Sequence, residues 1–155
     1  VVSEEDAKEG WNLLLNEKYK GDLYMYDSER DSFMIALKAL GYSMNTKDYS
    51  QLDAAYEWLC NQRDTMDPVY VGDDVIDNMI SGNKSIAVVY SGDAAYIMSE
   101  NDKLAYIEPE QGTNICCLLD IALNCILGVG TSLPLCHERM CIRITYYCIR
   151  CHIIF

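Results

Sequence analysis

The chain has 155 residues and a formal net charge of -12, and half of its residues are hydrophobic, enough for one domain or one lobe but short for two independent cores. The charge is uneven: residues 1–112 hold 22 of the 24 acids and 9 of the 12 bases, a net of -13, while residues 113–155 carry two acids and three bases. So acidic a body disfavours nucleic acid and anionic membrane surfaces as partners, since both need cationic patches, and its field attracts cations.

Val1-Val2-Ser3-Glu4-Glu5-Asp6 has neither the basic start nor the apolar run of a signal peptide, and without an initiator Met the chain reads as an internal piece or a processed product. Ser3 followed by three acids predicts a capped helix carrying Trp11, Leu14 and Leu15 on one stripe and ending at Lys20-Gly21. A short strand over 22–26 comes next. A helix over 28–40 follows, with Phe33, Ile35, Ala36, Leu37 and Leu40 mostly inward and Gly41 as its stop. After a turn at 45–48, an amphipathic helix running to about Arg63 uses Leu52, Ala55, Tyr56 and Leu59. Then come a strand over 68–71, a helix over 73–80, an apolar β-branched strand over 85–90, a helix capped by Ser91 through Met98, and a strand over 104–107.

Strands alternating with helices imply an α/β fold in three layers, a mainly parallel sheet with helices on both faces. Ligands in such sheets sit beyond the carboxyl ends of strands. Two strand-to-helix corners have that position, Tyr26-Asp27-Ser28 and Tyr90-Ser91-Gly92-Asp93, and each joins an aromatic ring to a carboxylate. An organic ammonium needs both: acids for its N–H groups and ring faces for its charge and methylenes. The plainer reading is helix capping, because Ser28-Glu29-Arg30-Asp31 has the spacing of a capping box.

The ordered set Tyr26 to Phe33, Ala36 to Thr46 and Val88 to Tyr96, preceded by Trp11 to Leu14 and Lys18 to Gly21, resembles the second lobe of the spermidine/putrescine-binding proteins of ABC importers over about residues 10–115. The resemblance implies a single lobe of a type II periplasmic-binding-protein fold, outside the cytoplasm, that closes with another lobe on a protonated polyamine and delivers it to membrane permease subunits. It implies no catalysis and no cofactor. Asp31 falls where the family pairs an acid with an amine, Tyr90 where an aromatic packs on the polyamine chain, and Asp93 where some members have a second acid. Asp27 and Ser28 share the first corner, and Arg30 matches a common structural arginine.

The family's next feature, an aromatic-x-Asp after Gly112-Thr113-Asn114-Ile115, is replaced by Cys116-Cys117-Leu118. Cys60 stands alone in the first 112 residues, whereas seven cysteines follow. We therefore divide the chain into an acidic solute-binding lobe, 1–112, and an apolar Cys-rich tail, 113–155, translated out of frame or otherwise foreign to the family; the N-terminal-type lobe is missing. Cys148-Ile149-Arg150-Cys151-His152 fits a c-type haem pattern, Cys136, His137 and Cys141 could join a zinc site, and 115–135 is apolar enough to raise a membrane span. The alternatives are a protein binding another small cation, a metal or haem protein, and a Rossmann-like enzyme. The last lacks Gly-x-Gly-x-x-Gly, a P-loop and a Ser/His/Asp set.

Overall fold

A computed structural model describes residues 2–114, 116–121, 144–149 and 151–155. The long first helix expected from Ser3 is instead a single turn, α1 (Glu4–Ala7), capped by the Ser3 hydroxyl and followed by 3-10 segments at Gly10–Leu15 and Glu17–Tyr19. Gly10 is the reason. Its φ of 59° breaks the α-helical run, and Trp11, Leu13 and Leu14 then turn fully into the core. A β-carbon at residue 10 would also collide with the Gln111 side chain, which accepts from the Trp11 N–H at 3.4 Å and donates to the Glu9 carbonyl at 3.0 Å. The Trp11 indole N–H donates to the Gly112 carbonyl at 2.8 Å, so residues 9–11 and 111–112 form a clasp.

The elements beyond the clasp are β1 (Leu23–Tyr26), α2 (Glu29–Ala39), α3 (Tyr49–Met66), β2 (Val69–Val71), α4 (Val75–Ile80), β3 (Ile86–Tyr90), α5 (Ser91–Glu100) and β4 (Tyr106–Ile107). Three more strands follow: β5 (Cys116–Ile121) and β6 (Ile144–Ile149), which pair antiparallel, and β7 (Cys151–Ile154). The main sheet has the order β2-β1-β3-β7-β4. β1 pairs parallel with β2 and β3, while β7 lies antiparallel between β3 and β4. Four of the five strands thus point the same way. The fifth comes from the Cys-rich segment and buries Ile153 and Ile154 in the sheet's two faces.

Side-chain alternation divides the core between those faces. Leu23, Met25, Ile86 and Val88 pack with Trp11, α2 and α3; Tyr24, Tyr26, Ala87 and Val89 pack with α4 and α5. This places helices on both sides of the sheet, as expected for the lobe.

α3 is longer than its sequence implied and turned differently. It buries Ala55, Trp58, Gln62 and Met66, whereas Tyr56, expected inward, is 60% exposed. In α2, Leu40 lies just past the helix end at the surface, and Met34 takes the inward place beside Ile35, Ala36 and Leu37. Gln62 is fully buried, and neither polar atom of its side chain has a partner among the described residues. Leaving such a group unpaired costs about 1–3 kcal/mol. Gln62→Leu is therefore expected to raise the urea midpoint by a comparable stability gain; an unchanged or lower midpoint would mean that the amide is satisfied in solution.

Candidate functional site

The carboxyl ends of β1, β2 and β3 lie along one edge of the sheet, and the helices that follow begin there. Ser28 is the N-cap of α2, with extended φ and ψ of -144° and 114°, and its hydroxyl oxygen accepts from the Asp31 N–H at 3.4 Å. The same hydroxyl donates to Asp31 Oδ2 at 2.8 Å. Capping is thus part of what this corner does. It also bends the chain so that Asp31 points back over the strand ends.

Asp31 is buried, 9% exposed, and collects donors from three parts of the chain. Besides Ser28, the Tyr90 hydroxyl donates to Oδ2 at 2.8 Å and Asn114 Nδ2 donates to Oδ1 at 3.3 Å. A carboxylate surrounded in this way is held in place.

The tyrosines are crossed between the corners. Alternation points Tyr26 toward α4 and α5, and Tyr90, at the end of β3, toward the α2 side. Each reaches the acid of the helix that follows the other strand: Tyr90 bonds to Asp31, and Tyr26 hydrogen-bonds to Asp93. The rings lie between, with centroids 4.5 Å apart and planes at 44°.

Asp93 sits half-buried in the first turn of α5, which begins one residue earlier than its Ser91 cap implied, with Tyr90 as N-cap. Burial raises its pKa above 3.8, the nearby Asp73 charge adds to the rise, and the Tyr26 hydrogen bond partly offsets both. A carboxyl whose native pKa is raised favours folding most when protonated. Its contribution is present below the ordinary value and is lost as pH rises through the native one. Urea midpoints measured from about pH 3.5 upward are expected to fall with rising pH more in the wild type than in Asp93→Asn. Parallel profiles would place Asp93 in a solvated setting.

Asp27 is exposed in the turn, and its backbone N–H extends the ladder to the Val71 carbonyl at 2.9 Å. The structure therefore joins Ser28, Asp31 and Tyr90 directly, reaches Asp93 through Tyr26, and sets Asp27 on the other flank. Asp27 lines a groove of about 220 Å³ between this corner, α3 and β2, with Tyr56 and Tyr70 opposite. A larger cavity, about 380 Å³ between α1 and β4, shares no residue with the corners.

Sequence reasoning missed the roles of Asn114, Asp73 and Tyr70 and the reach of Tyr26 to Asp93. One signal was present: Tyr70-Val71-Gly72-Asp73 repeats the Tyr-x-Gly-Asp order of Tyr90-Ser91-Gly92-Asp93 and marks a third strand end. Asn114 had no such signal, because its contact spans 83 residues.

Among the described residues no three His, Cys, Asp or Glu side chains group closely enough to hold a metal ion, and no helix is long and apolar enough to cross a membrane. Cys136, His137, Cys141 and the side chains of the Cys-x-x-Cys-His pattern lie outside the described residues, as does most of 115–135.

A profile of the bacterial extracellular solute-binding proteins matches residues 2–128. Over 102 residues the chain is 29% identical to the spermidine/putrescine-binding periplasmic protein of Salmonella typhimurium and 28% identical to that of Escherichia coli, covering 66% of this chain and 29% of each relative. A spermidine/putrescine ABC transporter substrate-binding protein from Streptococcus pneumoniae is similar in structure, with a TM-score of 0.62 and 30% identity, over 66% of this chain and 32% of that one. A Listeria monocytogenes structure described as a spermidine/putrescine ABC transporter shares the fold, with a TM-score of 0.62 at 22% identity, over 95% of this chain and 35% of that one. The chain spans less than a third of the length of the curated relatives it matches.

Proposed function

We propose, because this chain belongs to the bacterial extracellular solute-binding protein family, that it forms one wall of a cleft for a protonated polyamine such as putrescine or spermidine. The family binds solutes and does not catalyse reactions. In this reading the chain works outside the cytoplasm, meets a second lobe across the strand ends, and hands its solute to an ABC permease. In this reading the opposite wall belongs to that second lobe; the chain spans under a third of the relatives' length.

The observation that carries the reading is the pair of crossed tyrosine–aspartate contacts at the carboxyl edge of the sheet. Asp31 and Asp93 supply the charges for ammonium groups, and Tyr90 and Tyr26 supply ring faces for the methylenes between them. Ser28 and Asn114 hold Asp31 in position, and Asp27 adds negative charge beside it. Closure by a second lobe would remove water and strengthen each of these contacts.

The test is a titration of the carbon-13-labelled chain with putrescine, followed by NMR. Saturable shifts of the Tyr26 and Tyr90 rings and of the Asp31 and Asp93 carboxyls are expected. Their absence, or equal shifts with sodium chloride of matched ionic strength, would sink the polyamine reading.

A further inference from the structure

Resting on that reading, we propose that the groove beside the first corner is a further ammonium subsite, taking the extra aminoalkyl arm of a triamine and so favouring spermidine over putrescine. Three rings from three elements line it, Phe33 of α2, Tyr56 of α3 and Tyr70 of β2, and the end of β1 at Tyr26 borders it. Asp27 and Glu29 supply two carboxylates, so the lining offers acids for N–H groups and ring faces for charge and methylenes. The single base in the lining, Arg63, is paired with Asp64 at 2.9 Å, which leaves the groove's balance negative.

Two of the rings, Tyr56 and Tyr70, belong to neither core cluster. α3 packs through Ala55, Trp58, Gln62 and Met66, while Tyr56 is 60% and Tyr70 46% exposed. Exposed rings facing one another across a cavity on an otherwise acidic body are more than scattered surface hydrophobics.

Size and continuity identify the occupant. About 220 Å³ is below the roughly 300–1,000 Å³ typical of sites for whole small molecules, so the groove suits an arm rather than a complete ligand. Tyr26, Asp27 and Ser28 belong to both corner and groove, and the Tyr26 ring lies against Tyr90. A chain seated on Tyr90 and Asp31 therefore passes Ser28 and Asp27 to enter the groove. Putrescine, with two ammonium groups, is satisfied by the two corner acids; a third ammonium has its partners in Asp27 and Glu29.

The labelled chain titrated with putrescine and with spermidine tests this. Spermidine is expected to move the Tyr56 and Tyr70 ring signals as well as those of Tyr90, to leave a putrescine titration confined to Tyr26 and Tyr90, and to bind about tenfold tighter, the gain of one charged contact with its cation–π term. Tyr56→Ala and Glu29→Gln, both at exposed positions, should each bring spermidine toward putrescine affinity and leave putrescine unchanged. Unmoved Tyr56 and Tyr70 signals, or an affinity ratio that survives both variants, would overturn the subsite alone. If neither amine moves Tyr90, the polyamine reading fails and the subsite falls with it.

Discussion

Asp31→Asn is expected to weaken putrescine binding about 10- to 100-fold, the loss of one charge-assisted contact of roughly 1.5–3 kcal/mol, while the fold survives. The hydrogen-bond pattern explains the separation. Asn114 donates to Oδ1, which an asparagine oxygen can replace, and the Ser28 and Tyr90 hydroxyls donate to Oδ2. Hydroxyls can rotate to accept from an amide N–H₂, so little of the network is lost. Asp31→Leu removes the acceptor instead and strands those donors in a buried site, at a cost of about 1–3 kcal/mol in stability. Binding by NMR titration and stability by urea denaturation, run on both variants, should therefore part company: asparagine affects affinity, leucine both. Unchanged putrescine affinity in Asp31→Asn would return the residue to capping and core organisation.

Trp11→Ala should be the most damaging change away from the site. Trp11 is fully buried against the face carrying α2 and α3, and Phe/Trp→Ala changes in cores cost about 3–5 kcal/mol. Domains are commonly stable by only about 5–15 kcal/mol, so the variant is expected to lose most of its cooperative unfolding transition by circular dichroism. Trp11→Phe separates the causes. It retains most of the apolar area and loses the indole bond to the Gly112 carbonyl, and should fall short of wild type by about 1 kcal/mol. An alanine variant that unfolds at the wild-type urea midpoint would show that the clasp and its tryptophan contribute nothing.

Much of this was legible where local chemistry decides. Ser28 before Glu29 and Asp31 predicted a helix start because the cap needs nothing beyond its own turn, and it is found there. The run from Ile86 to Tyr90 reads as a strand covered on both faces, and four of its five residues are buried. What depended on distant partners was harder to read. Gly10 ends α1 because its backbone faces Gln111, a hundred residues away. On α3 the stripe expected through Leu52, Ala55, Tyr56 and Leu59 is met at Ala55, which is buried, and at Leu52 and Leu59, which pack partly against the core. The buried face is centred on Ala55, Trp58, Gln62 and Met66, which leaves Tyr56 outside although an unpaired amide is buried.

The candidate site divides in the same way. Each corner was visible as an aromatic beside an acid, since both lie within a few residues of a strand end. The crossing was not, because it depends on parallel pairing of β1 and β3 and on the opposite faces taken by Tyr26 and Tyr90. Residues that looked like two separate ammonium contacts are, in the fold, two tyrosine–aspartate pairs joined through the Tyr26–Tyr90 ring contact.

The clasp between residues 9–11 and 111–112 makes the intervening chain a closed ring in all but its covalent bond. A single cut in such a ring opens a gap without freeing an end to diffuse, because each fragment keeps one terminus pinned beside the other's. For the exposed connection between α2 and α3, a protease nick would therefore leave two interlocked pieces that copurify and separate only in denaturant.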